Sequence, residues 1–189
     1  MTTDTLTRTE RERLTGTYTI DASHSRLGFV ARHAMVTKVR GGFNDFAGTI
    51  TIDGANPTRS NAEVTIEAAS IDTRNADRDA HLRSNDFFAM EDHPQLRFVS
   101  TAVEQLDDTR YRVTGDLTLR GVTKTVTIDL DYTGVAVDPF GNTRVGFEGA
   151  TTVNRKDWGV SWNAALEAGG VLVSEKVTLE VEISAIKDA

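Results

Sequence analysis

The sequence predicts an all-β protein, an eight-stranded antiparallel barrel with one short crossover helix near residues 75–84. Three observations predict it. Apolar and polar residues alternate over most of the chain with the period of two that a half-buried strand requires. Turn signals recur between the alternating runs, as in "DGANP" at 53–57, "LDDT" at 106–109 and "DPFGN" at 138–142. A single stretch, "SIDTRNADRDAHLRSNDFF" at 70–88, drops the alternation for a charged, helix-like segment ending on two adjacent phenylalanines.

Residues 1–15 hold only Met1, Leu6 and Leu14 as large apolar side chains and read as a disordered, solvated tail with at most a fraying helical turn. They lack the apolar stretch of roughly 7–15 residues that a secretory signal needs, so a cytoplasmic location is expected. Nowhere do about 18 apolar residues run together, so no transmembrane helix is expected either. After residue 15 there is no repeat, linker or low-complexity segment, and 16–189 reads as one domain.

Loose alternating runs cover about 17–33, 39–53, 61–71, 95–106 and 143–153. The cleanest strand, "YRVTGDLTLR", puts Tyr111, Val113, Gly115, Leu117 and Leu119 on one face and Arg112, Thr114, Asp116, Thr118 and Arg120 on the other. Beyond Gly121 the pattern resumes with Val126, Ile128, Leu130 and Tyr132 opposite Thr125, Thr127, Asp129 and Asp131, which makes a hairpin. In the last strand Val173, Val177, Leu179, Val181 and Ile183 oppose Ser174, Lys176, Thr178, Glu180 and Glu182. One apolar face per strand satisfies a sandwich or a barrel. Several strands exceed the usual five or six residues and few prolines blunt their edges, which favours closure, because closure removes edges.

The charged segment fits a helix over 75–84. Asn75 serves as its N-cap, Asp77 and Asp79 sit near the positive end of its dipole, and His81 and Arg83 near the negative end. Asp77–His81 and Asp79–Arg83 have the spacing for pairs across one turn. A helix so short and so polar is marginal alone, and Phe87 and Phe88 are its expected anchor to the barrel.

A net charge of −7 without a basic cluster argues against nucleic acid as a partner. The absence of cysteine removes disulfides, thiolate nucleophiles and cysteine metal sites. His24, His33, His81 and His93 lack the spacing of a helical metal pair, so no metal is expected. "DASHS" brings Asp21, Ser23 and His24 together but has no nucleophile elbow, and a hydrolase is not expected.

The segment at 70–88 resembles the signature of the YceI-like polyisoprenoid-binding family. "IDASHSRLGFVARH" (20–33), "GGFNDFAGTI" (41–50), "HPQLRFVST" (93–101), "GDLTLRGVTKTV" (115–126) and "NRKDWG" (154–159) match it in order, so the resemblance spans about 16–187. It implies a lipocalin-like barrel with a helix in one connection and an elongated apolar cavity. The implied ligand is a long isoprenoid lipid, either a polyprenyl chain or an isoprenoid quinone, and a homodimer is often implied as well. The expectation is non-catalytic binding or transport, with no cofactor required beyond the bound lipid. The alternatives are an enzyme acting on a lipophilic substrate in the same cavity, or a barrel with a filled core serving as an interaction module. Many members carry an export signal and this sequence shows none. Trp158 stands where Phe is usual, and "GVSWNAALEAGG" (159–170) makes a long link before the final strand.

For a lipid-binding barrel the expected lining residues are Leu27, Phe29, Phe46 and Ile50 from the first strands. Phe98, Leu117, Leu119, Ile128, Leu130 and Phe147 are expected from the later ones, with Leu82, Phe87, Phe88, Trp158 and Trp162 at the barrel end. Phe43 and Phe46 have opposite strand parity, so at most one faces inward unless a bulge intervenes. Arg78, Asp79, Arg155 and Asp157 form either an ion-pair network tethering the helix or, through one of them or His81, a contact to a lipid headgroup.

Overall fold

The computed structural model describes residues 6–189, in which eleven strands form one antiparallel sheet closed on itself. β1 (Gly16–Ile20) and β2 (Arg26–His33) run end to end as the first wall segment, and β3 (Thr37–Phe43) and β4 (Phe46–Ile52) return as the second. β5 (Asn61–Glu67) continues the wall from β4, and the two-residue β6 (Ile71–Asp72) pairs only with β3. β7 (Gln95–Gln105), β8 (Arg110–Leu119), β9 (Val122–Val137), β10 (Thr143–Asn154) and β11 (Lys176–Lys187) follow by antiparallel neighbours. Pairing of β11 with both β1 and β2 completes an eight-segment ring. The closed barrel expected from strand length is therefore the fold.

The runs expected at 17–33 and 39–53 are each broken in the middle. Asp21 caps a single 3-10 turn at Ala22–His24, accepting from the Ser23 amide at 3.1 Å, and Asn44–Asp45 interrupt the returning strand opposite it. The second break resets parity. Phe43 reaches the lumen and Phe46, 6% exposed, sits in the core, so both face inward. Two further bulges shift the register, between Ser100 and Ala102 on β7 and opposite Gly146–Phe147 on β9, so that Phe98 and Val103 both line the lumen despite opposite parity. Gly115 is inward on β8, where the Phe98 ring lies over it so closely that a Cβ would collide.

The N-terminal expectation is corrected within the described residues. Arg8–Arg13 form α1, whose capping box joins Thr7 and Glu10 reciprocally. The helix ends on Leu14, buried at 8% exposure, and the Tyr18 hydroxyl donates to the Leu14 carbonyl at 2.8 Å. Gly54 lets the loop after β4 touch the Arg11 carbonyl, a place where any Cβ would clash. A polar helix is thus seated under one barrel end because its last residue and the tyrosine after it are apolar anchors. The part of the expected tail in residues 1–5 lies outside the described residues.

The crossover helix, α2, covers Ala76–Arg83 with Asn75 accepting from the Arg78 amide at 2.9 Å, as its sequence predicts. The expected i,i+4 pairs do not form. Asp79 is buried and accepts from the Thr73 amide and hydroxyl at 2.9 and 2.5 Å. Arg83 donates to the carbonyls of Ala69 and Ile71 at 2.9 and 3.0 Å, and His81 Nε2 lies 2.8 Å from Asp86 Oδ2. The helix spends its charges on the backbone of the segment leading into it, which fixes its orientation more than pairs along its own surface would. The buried residues fall in two clusters. One runs along the wall from Leu14 and Tyr18 to Phe46, Ile66 and Leu96; the other, Phe87, Leu117, Val126, Trp158 and Val160, lies at the α2 end.

Arg144 ties the α1 end together, donating to Asp21 at 2.7 Å and to Asp138 at 2.8 Å. Hydrogen bonds from Ser23 and Arg144 hold Asp21 well below the usual carboxylate range, and those from Arg144 and then Asn142 do the same for Asp138. A carboxylate with a depressed folded pKa stabilises the fold above its ordinary value and loses that contribution as the pH falls through the folded value. Arg144→Ala should therefore lower the melting temperature at neutral pH, and its gap to wild type should narrow on acidification below about pH 4. Melting curves across that range check this; a gap independent of pH would contradict it.

Candidate ligand-binding cavity

The inward faces of the wall enclose a cavity of about 360 Å³. Its wall runs from Leu14, Ile52 and Tyr132 at the α1 end to Phe87, Trp158 and Val160 at the α2 end, so it follows the barrel axis. The filled-core alternative does not describe this interior. The wall is apolar because the period-two faces of β8, β9 and β11 all turn toward it: Val113, Leu117 and Leu119, then Val126, Ile128 and Leu130, then Val177, Leu179 and Val181.

At the α2 end the phenylalanine pair divides its work. Phe87, 5% exposed, packs with Leu117, Val126 and Trp158, while Phe88 meets Phe43 edge-on at 5.9 Å, and Phe43 in turn meets Phe29 at 6.0 Å. One ring anchors the helix to β8 and β9, the other to β2 and β3. The Trp158 Nε1–H donates to the Leu117 carbonyl at 2.9 Å, which fixes the indole across the lumen. Its larger ring carries a donor that the usual phenylalanine lacks.

Arg155 lines this end but is occupied. Its Nε donates to the Ser174 carbonyl at 2.8 Å, Nη1 to those of Val160 and Trp162 at 2.7 and 2.9 Å, and Nη2 to that of Val173 at 3.3 Å. It pins both strands of the 159–175 link to the barrel rim. The expected network of Arg78, Asp79, Arg155 and Asp157 is not formed. Arg78 bonds the Thr73 hydroxyl and carbonyl, each at 2.7 Å, and Arg155 serves the opposite loop. Burial lowers the Arg155 pKa from its ordinary value, opposed in part by Glu175.

Every residue expected to line a cavity does so except Phe46 and Trp162. Phe46 is packed into the surrounding core, and Trp162 lies outside the lumen against His81 and Phe87, with ring centroids 4.6 and 5.4 Å apart. Strand alternation reveals further lining residues that the sequence reading did not single out for the site: Val113, Val126, Tyr132, Val181 and Ile183. Arg11 and Leu14 also line the cavity, and no periodicity marks them, because α1 contributes through its end and not through an apolar face.

Tyr132 is the polar exception on the wall. Its ring packs on Phe147 at 5.7 Å between centroids, and burial pushes its pKa up to about 12, so the phenol stays protonated. Among the described residues its hydroxyl is the buried side-chain polar atom with no hydrogen-bond partner. The Asp21–Ser23–His24 cluster lies outside the lumen lining and lacks triad geometry. His24 Nδ1 is 2.8 Å from Asp21 Oδ2 and 3.0 Å from Ser23 Oγ, so acid and hydroxyl share one ring nitrogen instead of flanking the ring. Among the described residues no three His, Cys, Asp or Glu side chains approach closely enough to hold a metal, and no helix is long and apolar enough to cross a membrane.

A closed antiparallel wall, an axial apolar lumen and a helix in one connection define a lipocalin-like barrel. Within that class the chain belongs to the YceI-like family, whose domain matches residues 18–185. A UPF0312 protein of Staphylococcus epidermidis is 39% identical over 164 residues, covering 86% of this chain and 93% of its own. One from Photorhabdus laumondii is 42% identical over 147 residues, covering 77% and 76%. Among solved structures, the Campylobacter jejuni YceI protein is similar with a TM-score of 0.72 at 29% identity, over 84% of this chain and 90% of that one. BcnA of Burkholderia cenocepacia gives 0.77 at 24% identity, over 87% and 98%. A polyisoprenoid binding domain from Saccharophagus degradans gives 0.70 at 16% identity, over 90% and 98%, and shares the fold.

Arg155→Met keeps the stem but strands the Ser174, Val160 and Trp162 carbonyls, while that of Val173 still accepts from Asn163 Nδ2 at 2.8 Å. A loss of about 2–4 kcal/mol in urea-unfolding free energy is expected, since each buried group left unpaired costs about 1 kcal/mol or more. A variant as stable as wild type would contradict the pinning role.

Proposed function

We propose that this protein binds a long isoprenoid lipid, a polyprenyl chain or an isoprenoid quinone, in the barrel lumen, and carries or sequesters it without catalysis. The observation that carries the reading is the axial cavity itself, apolar along its length and bounded at one end by Phe87, Trp158 and Val160. Strands of twelve residues, as in β10 and β11, rising about 3.3 Å per residue at a tilt near 40°, give a barrel of roughly 30 Å. A narrow lumen of that length suits an extended prenyl tail better than a compact metabolite. Membership of the YceI-like family and the description of the Saccharophagus degradans neighbour as a polyisoprenoid binding domain support the same class of ligand.

The energetics are consistent with binding through the tail. Burial contributes roughly 0.8 kcal/mol per methylene-sized group, so each prenyl unit adds more than one power of ten before ordering costs. Protein taken directly from its host should release a prenyl lipid or quinone on solvent extraction, detected by mass spectrometry; a clean extract at stoichiometric sensitivity would defeat the proposal. Affinity should rise about tenfold or more per added prenyl unit until the lumen is full. Ile128→Trp, which places an indole in mid-lumen, should abolish binding of the longest chains while the barrel still melts cooperatively.

A further inference from the structure

Among the described residues the exposed large apolar side chains fall into two groups. Val135, Val137 and Phe140 lie on the β9–β10 hairpin, where the neighbouring cation, Arg144, is paired with Asp21 and Asp138. Met35, Val36 and Val171 lie at the α2 end. Met35 and Val36, 63% and 76% exposed, form the tip of the β2–β3 hairpin, and Val171 belongs to the link before β11. Hairpin and link are joined: the Ala34 amide donates to the Leu172 carbonyl at 2.7 Å, and the Met35 thioether lies over Gly170 so closely that a Cβ there would collide. Phe29, Ala31 and Val173, further along the same two segments, line the lumen. The apolar tip therefore stands beside the lumen's α2 end.

The hairpin that carries this tip is cationic. Residues 22–44 contain Arg26, Arg32, Lys38 and Arg40 and no Asp or Glu, in a chain of net charge −7. All four have the parity opposite to the lumen-lining Leu27, Phe29 and Phe43, so they lie on the outer face. Arg26 and Arg40 face Glu180 at 3.3 and 3.9 Å. Nearer the tip, Arg32 and Lys38 are cross-strand partners, and neither is in an ion pair among the described residues. Lys176 adds a third cation: the Ser174 hydroxyl joins it to β2, accepting from the Arg32 amide at 2.9 Å and donating to the Lys176 carbonyl at 2.8 Å. The acids of the adjoining link are Asp157, Glu167 and Glu175, the last paired with Lys156 at 2.6 Å. No basic run marks this strip in the sequence, because Arg32 and Lys38 meet only when the hairpin forms.

The turn at the tip is strained. Ala34 and Met35 have φ of 50° and 62°, the left-handed pair that a two-residue hairpin turn needs and that Asn-Gly supplies at little cost. The chain keeps a large apolar side chain there against that preference. We propose that the β2–β3 tip docks on an anionic lipid bilayer, with Met35 and Val36 entering the headgroup layer and Arg32, Lys38 and Lys176 meeting the lipid phosphates. A bilayer takes both chemistries at once. A nucleic acid would meet the cations and leave the apolar tip in water. A second copy seated on the same face would set the two cationic strips against each other, because a two-fold interface uses one patch on both subunits. The net negative charge does not oppose docking, since acids more than about 10 Å away are screened at physiological salt. Docking holds the α2 end of the lumen against the membrane and does not depend on what the lumen binds.

The test sediments the full chain with vesicles of phosphatidylcholine alone and with vesicles of equal parts phosphatidylcholine and phosphatidylglycerol, at about 0.1 M salt. Wild type should bind the anionic vesicles about tenfold or more tightly than the neutral ones. Arg32→Gln combined with Lys38→Gln should remove most of that preference, at about fivefold for each cation. Met35→Gly should weaken binding about fivefold with a melting temperature equal or higher, because glycine relieves the left-handed turn. Phe140→Ser should leave binding unchanged. The chain has no cysteine, so an environment-sensitive dye on Val36→Cys or on Phe140→Cys reports which tip enters the bilayer. Its emission should shift to the blue on anionic vesicles at the first position and stay at the second. Equal binding to both vesicle types, binding unchanged in the Met35 and Arg32–Lys38 variants, or a dye shift at Phe140→Cys in place of Val36→Cys would overturn the inference. A concentration-dependent dimer that Met35→Gly dissolves, with no vesicle binding, would assign the tip to a second copy and overturn it too. None of these outcomes bears on the lumen, whose contents are read by extraction.

Discussion

Three cross-strand pairs, Tyr18 with Lys187, Thr19 with Ile186 and Ile20 with Ala185, join the first strand to the last. The rest of the molecule depends on that seam. An open sheet with one apolar face buries it by packing against a second layer, as sandwiches do. A closed ring cannot, because its circumference is set by the number and tilt of its strands, and the inward side chains meet only near the axis. With eight wall segments the remaining space is close to what side chains can fill, so small changes in side-chain size along the axis decide whether a lumen persists.

The two ends are closed by different means. Beneath the barrel a short polar helix contributes little apolar surface of its own, and Leu14 and Tyr18 secure it by burial and one hydrogen bond. At the other end aromatic rings and a guanidinium do the work. Phe87 and Phe88 bind α2 to opposite walls, Trp158 reaches across to the Leu117 carbonyl, and Arg155 gathers the long link against the rim. Buried charge at this end satisfies backbone acceptors, which is how a loop of that length stays ordered over an apolar interior.

Much of the wall was legible. Alternation in 111–119 and 126–132 assigned each side chain to a face, and Asn75 announced the start of α2, because both signals act over a few residues. The two mid-strand breaks were not legible, since Asp21 and Asn44–Asp45 look like ordinary outward polar positions until the turn between them is seen. Phe43 and Phe46 show the consequence: counting parity through the break assigns one of them to the wrong side. The charges of α2 were also misassigned. Spacing along a helix suggested Asp79–Arg83, whereas the fold turned both toward the 69–73 backbone.

Local chemistry in the chain therefore determined the strand faces, the crossover helix and the apolar character of whatever they enclose, because the period of two and the helix cap need no knowledge of distant residues. Tertiary structure decided that the wall closes, that a continuous lumen runs along it, that α1 belongs to the barrel, and that Arg155 is committed while Tyr132 is not. Those outcomes depend on which groups meet across strands far apart in the chain, and hydrogen-bond partnership is a property of that meeting and not of either residue alone.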